Sequence, residues 1–129
     1  YGHTSKKKLR GNIKWKPFSR SGFIKDLESC NGVICNAGFE LTSECLSLNK
    51  KILVKPVMSQ VEQLANVKAL DSLELASTTN KITNAVVSDW IENDSKSLLP
   101  YFSVVDPVVD WIESGNFDDI NCLKKKVWI

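Results

Sequence analysis

The sequence predicts an α/β protein built on a parallel sheet with helices packed against it. Two observations carry that prediction. Short apolar runs, Val33-Ile34-Cys35 and Ile52-Leu53-Val54, alternate along the chain with segments whose apolar residues recur at helical spacing. Strands separated by helices are joined by right-handed crossovers, which makes neighbouring strands parallel. The length, 129 residues, suits a single domain over 1–129.

Each element has its own signal. The first twelve residues are polar and basic with two glycines and read as a loop. Ile13 to Trp15 alternates apolar residues with lysine and predicts a short strand, ended by Pro17, which has no ladder donor. Phe23, Ile24 and Leu27 are helically spaced, and Asn31-Gly32 turns the chain into Val33–Cys35, a run of the kind buried on both faces. A helix over Phe39 to Leu48 follows, with Leu41, Cys45 and Leu48 on its buried face. Ile52–Val54 is a second buried strand, broken by Pro56. Val61 to Leu73 then repeats apolar positions at helical spacing through Leu64, Val67, Leu70 and Leu73. Leu75-Ala76 fits an edge strand, Asn80 to Asn93 a helix, and Asp106 to Ser114 a last helix with Pro107 in its first turn and Gly115 at its end.

Composition narrows the function. Hydrophobic content of 43% and charged content of 25% are those of an ordinary globular chain, and a net charge of +2 gives no argument for nucleic acid. No apolar run reaches the length of a membrane span. The four cysteines (Cys30, Cys35, Cys45, Cys122) lack C-x-x-C spacing and point to a reduced, cytoplasmic setting. The single histidine, His3, argues against a Ser-His-Asp triad and a histidine-rich metal site. P-loop and dinucleotide fingerprints are absent. The opening Tyr1-Gly2, without an initiator Met, reads as a chain cut within a larger protein.

In parallel α/β sheets ligands bind beyond the carboxyl ends of the strands. Three turns are therefore expected to open on one edge: Lys16 to Ser19, Asn36 to Glu40, and Pro56 to Gln63. At Asn36-Ala37-Gly38-Phe39 a strand meets a helix whose first amides are unpaired, and Gly38 permits positive φ and close approach. That suits a phosphate, or simply a turn. Glu44 is either a solvated helix carboxylate or an acceptor for two ribose hydroxyls. Trp15 and Phe18 fit base stacking or core packing equally. Ser59, Gln60, Glu62, Gln63 and Asn66 could fan around a polyol, or Ser59 could cap the helix.

Taken in order, "WKPF" (15–18), "NAGFELTSE" (36–44), Pro56 and "EQLAN" (62–66) resemble the donor-binding domain of a GT-B glycosyltransferase, in particular the MurG-like and UDP-glycosyltransferase-like families. The resemblance implies a Rossmann-like sheet, the C-terminal half of a GT-B fold lacking its first strand, and a fragment of a larger two-domain enzyme that transfers little alone. It implies that Trp15, Phe18, Asn36, Gly38, Phe39 and Glu44 surround the nucleotide and its phosphates. It assigns Gln60, Glu62, Gln63 and Asn66 to the donor sugar. Asn36 stands where the family often has histidine, and Phe18 where it has glutamine. The implied donor is a UDP-sugar; no cofactor or metal is implied, since no D-x-D pair is present. The catalytic base is not identified. The implied partner is an acceptor domain on the same chain or on a partner subunit. A cytoplasmic location, peripheral at a membrane if the acceptor is lipid-linked, follows from the same likeness, with the basic clusters at Lys6–Arg10 and Lys124–Lys126 as its only sequence support. A nucleotide-sugar epimerase of the same architecture and a non-catalytic scaffold domain remain the alternatives.

Overall fold

The computed structural model describes residues 8–93 and 104–127. They fall into two compact units, 1–98 and 99–129, each treated by itself.

In the first unit, strands β3 (Gly32–Cys35), β4 (Lys51–Val54) and β5 (Ser77–Thr78) form a parallel sheet in the order β3-β4-β5. The register pairs Val33 with Ile52 and Cys35 with Val54, and β4 pairs Leu53 with Ser77. Helices α1 (Arg20–Ser29), α2 (Phe39–Ser47), α3 (Val61–Ser72) and α4 (Asn84–Glu92) flank it. The α/β class expected from the sequence is therefore the class observed.

The core lies on one face of the sheet. Ile52 and Val54 from β4 pack with Leu27 of α1, Cys45 of α2, Leu70 of α3 and Ala37. Strand residues alternate between faces, so Leu53 points the other way, where it is buried and lines a cavity with Val86 and Trp90 of α4. β4 is thus buried on both faces, as its unbroken apolar run predicts. β3 is not. Val33 and Cys35 face the core, but Ile34 is 43% exposed, while Trp90 in the last turn of α4 packs at Gly32, the first residue of β3.

Two adjacent lysines tie helices to these two faces. Lys50 Nζ donates to the carbonyls of Glu28 and Cys30 at 2.6 and 3.0 Å, closing the carboxyl end of α1. Lys51 Nζ donates to the carbonyls of Ile91 and Asn93 at the end of α4 and lies 5.4 Å from the Trp90 ring centroid. Cations at helix carboxyl ends complement the dipole and satisfy orphan carbonyls.

Several expectations are corrected. Ile13–Trp15 (β2) does not join the parallel sheet; it pairs antiparallel with β1 (Lys8–Arg10), inside the segment expected to be a loop, through a turn at Gly11 with φ 56°. The edge strand is Ser77–Thr78, while Leu75 and Ala76 pack against the core. α4 begins at Asn84 because the Thr83 hydroxyl accepts the Val86 N–H at 3.3 Å and sets the first turn there. Leu48, expected on the buried face of α2, is the exposed cap residue of that helix, and Thr42 takes the buried place instead.

In the second unit, α5 (Val105–Ser114) stops at Gly115, whose φ is 66° and whose N–H donates to the Ile112 carbonyl. The expected helix from Asp106 thus starts one residue earlier. A further helix, α6 (Ile120–Val127), was not expected, because the run Lys124–Lys126 reads as solvated surface. Trp111 and Phe117 meet edge to face at 5.2 Å.

Two measurements check this packing. A Cβ on Gly32 would stand 2.8 Å from the Trp90 ring and 3.1 Å from the Lys51 carbonyl. Gly32→Ala is expected to cost about 1–3 kcal/mol by overpacking, read as a lower melting temperature. The second concerns Cys45, which is fully buried; loss of solvation, reinforced by Cys35, Cys30 and Glu44, pushes its thiol up to about 12 from 9.0. The unfolded thiol ionises near 9 while the folded one keeps its proton, so Cys45 makes folding less favourable as pH rises from 9 toward 12. At pH 8 the exposed Cys122 is expected to react with a thiol reagent within minutes and Cys45 only on unfolding.

Candidate functional site

The candidate site is built at the carboxyl edge of β3 and β4. β3 ends at Cys35, the chain turns through Asn36-Ala37-Gly38, and α2 begins at Phe39. Gly38 is the N-cap residue, yet it carries no side chain to cap with, and no other side chain replaces it. Among the described residues, the amides of Gly38, Phe39, Glu40 and Leu41 have no acceptor; the first intrahelical bond runs from Thr42 N–H to the Gly38 carbonyl. Such a helix end offers several converging donors and the positive end of the dipole to an anion.

Gly38 has φ −73°, so the positive φ allowed by its lack of a side chain is not used. What its small size provides is space: a Cβ there would meet nothing within 4 Å. Asn36 and Phe39 are exposed at the same turn, Phe39 by 68%. Glu44 lies one further turn along α2, also exposed, and no described residue forms an ion pair or hydrogen bond with its side chain. Thr42 is buried, and its hydroxyl donates to the carbonyls of Gly38 and Phe39 at 2.7 and 3.0 Å.

The next turn, from β4 to α3, opens on the same edge and is joined to the first. Asn66 of α3 donates through Nδ2 to the Ala37 carbonyl at 2.9 Å, across 29 residues of sequence. Gln63 accepts the Val57 N–H on Oε1 at 2.8 Å and so shapes the loop that carries Met58 and Ser59. Ser59 does not cap α3; it sits at φ 69°, and Gln60 is the N-cap position, with no side-chain cap bond. Glu62, in the first turn of α3, is exposed.

Of the three expected turns, the structure therefore brings two together. The first, Lys16 to Ser19, follows a strand outside the parallel sheet, so its place on the common edge does not follow from the topology. Trp15 and Phe18 are 53% and 73% exposed. An ion pair between Lys16 and Asp26 ties the segment to α1, whose amino end is capped by Ser19 accepting from Gly22 N–H at 3.2 Å. Phe18, Ser19, Arg20 and Phe23 line an apolar cavity of about 410 Å³.

Sequence reasoning passed over Lys55. Its N–H donates to the Cys35 carbonyl at 3.0 Å, which sets it alongside Asn36, and its half-buried side chain donates through Nζ to the Pro56 carbonyl at 3.3 Å, where the turn after β4 begins. The available signal was a lone lysine between a buried strand and Pro56. Among the described residues no three His, Cys, Asp or Glu side chains are grouped to hold a metal, and no helix is long and apolar enough to cross a membrane.

Comparison with known protein families gives a match. The family model described as Glycosyl transferase family 1 matches residues 1–94, a span that contains the whole sheet, α1 to α4 and every residue of the two joined turns. No curated protein and no solved structure matches. Since the match covers more than half of the chain, and the three-stranded parallel sheet with its flanking helices agrees with a Rossmann-like half of a GT-B fold, the chain belongs to glycosyl transferase family 1.

Proposed function

We propose that the chain binds a nucleoside diphosphate sugar, in the first instance a UDP-sugar, for transfer to an acceptor hydroxyl in the manner of MurG-like and UDP-glycosyltransferase-like enzymes. The observation that carries this is the uncapped amino end of α2, with four unpaired amides below an open Gly38. Family membership supplies the reaction class, and this edge supplies a place for the diphosphate.

In such a transfer the acceptor oxygen forms a bond to the anomeric carbon and the bond from that carbon to the diphosphate breaks. The acceptor proton leaves to a base, and negative charge accumulates on the departing diphosphate. The amides from Gly38 to Leu41 are fixed by the helix before the charge appears, and fixed dipoles stabilise a leaving anion without reorganisation. Lys55 adds a cation at the same edge. Glu44, exposed and unpaired among the described residues, takes the ribose hydroxyls as acceptor of two O–H bonds. Trp15 and Phe18 take the base, with Asn36 and the Phe39 amide beside the phosphates. Gln60 and Glu62 face the donor sugar; Gln63 and Asn66 hold the turns that carry them. The acceptor is presented by a second domain, on the same chain or on a partner.

Calorimetric titration of the chain with UDP, GDP and TDP tests the reading directly. Binding of UDP ahead of the other two is expected, and absence of binding to all three at millimolar concentration would remove it. Glu44→Ala is expected to weaken UDP binding about tenfold while changing stability by no more than about 0.5 kcal/mol, as for exposed sites generally. An unchanged affinity would strip Glu44 of the ribose role. Gly38→Ala provides a complementary check: open space and an ordinary φ admit the methyl, alanine as a poorer N-cap than glycine is expected to cost about 1 kcal/mol, and UDP affinity is expected to fall because the new methyl occupies the approach to the amides.

A further inference from the structure

We infer that Asn66 is a positioning residue that fixes the facing of the Ala37–Gly38 peptide and thereby presents the Gly38 N–H to the diphosphate; this rests on the donor-site reading above. The chain contains no cis peptide bonds among its described residues. In a planar trans peptide the C=O and the N–H point in opposite directions. Asn66 holds the Ala37 carbonyl toward α3 at 2.9 Å, so the Gly38 N–H is directed away from α3. That N–H has no acceptor among the described residues, and the space around Gly38 is open.

The lock is needed because of glycine itself. Turning this peptide over would carry the φ of residue 38 from −73° into the positive region, which a side chain resists and glycine accepts. The turned peptide would aim a carbonyl oxygen at an approaching anion. Gly38 therefore gives access and, by the same property, leaves the peptide free to face either way. Asn66 removes that freedom. Ala37 is fully buried, so its carbonyl has no water to replace the amide. The Thr42 hydroxyl holds the next two carbonyls, those of Gly38 and Phe39, turned back into the helix. Three consecutive carbonyls are thus held away from the site by two side chains, and the amides are what remains.

A purely structural bond would affect all ligands alike, whereas a bond that orients a phosphate donor affects only those carrying phosphate. The test titrates the chain, Asn66→Ala and Asn66→Leu with UDP and with uridine, after thermal melts. Leucine keeps the side-chain volume and removes the donor. Both variants are expected to bind UDP about tenfold more weakly, the loss of about one oriented hydrogen bond, and to bind uridine as the unaltered chain does. Equal losses for UDP and uridine, no loss for either, or unfolding of both variants would overturn the positioning role while the donor site stands. Failure of the unaltered chain to bind UDP, GDP or TDP would remove the donor site and this role with it.

Discussion

The fold depends on β4 being buried on both faces. Ile52 and Val54 complete a core with α1, α2 and α3, while Leu53 meets α4 on the other side. A strand of only four residues can organise four helices because none of its apolar side chains is left to solvent. Its entry is as constrained as its interior. Lys50 and Lys51 point to opposite faces and close the carboxyl ends of α1 and α4, so the two sides of the sheet are pinned at one dipeptide.

The candidate site is a consequence of that arrangement. With β3 and β4 parallel and in register, the turns leaving them emerge side by side, and Lys55 N–H bonds to the Cys35 carbonyl just where β3 ends. α2 and α3 both start at this edge, and their amino ends carry no side-chain caps. By contrast, α1 and α4 are capped by Ser19 and Thr83. Ser19 and Thr83 each satisfy one early amide of their helix, and α2 and α3 have no such side-chain bond. A helix end without a side-chain cap leaves its first amides to solvent or to a ligand.

Much of this was legible in the sequence, and the reasons are local. The apolar runs at 33–35 and 52–54, the helical periods around them and the ordered motifs from Trp15 to Asn66 indicated the parallel sheet, its helices and the glycosyltransferase likeness. Such features depend on near neighbours in the chain. The failures share a cause as well. β2 has the composition of a strand, but its partner was decided by Lys8–Arg10, whose polar residues give no strand signal. Val33–Cys35 reads as doubly buried, yet whether Ile34 is covered depends on where a helix more than forty residues later docks. α6 is hidden by its lysines.

The sequence by itself determined the class of fold, the position of the turn at Asn36–Gly38 and the residue types gathered around it. It could not determine what each of those residues does. Asn66 and Gln63, placed by motif beside a sugar, spend their recorded hydrogen bonds on the backbone of Ala37 and Val57. Gly38 keeps φ in the ordinary region and has open space where a side chain would stand. The Asn66 bond spans 29 residues and exists only because α3 packs against the β3–α2 turn, while the Gln63 bond, six residues long, depends on how the loop before α3 folds.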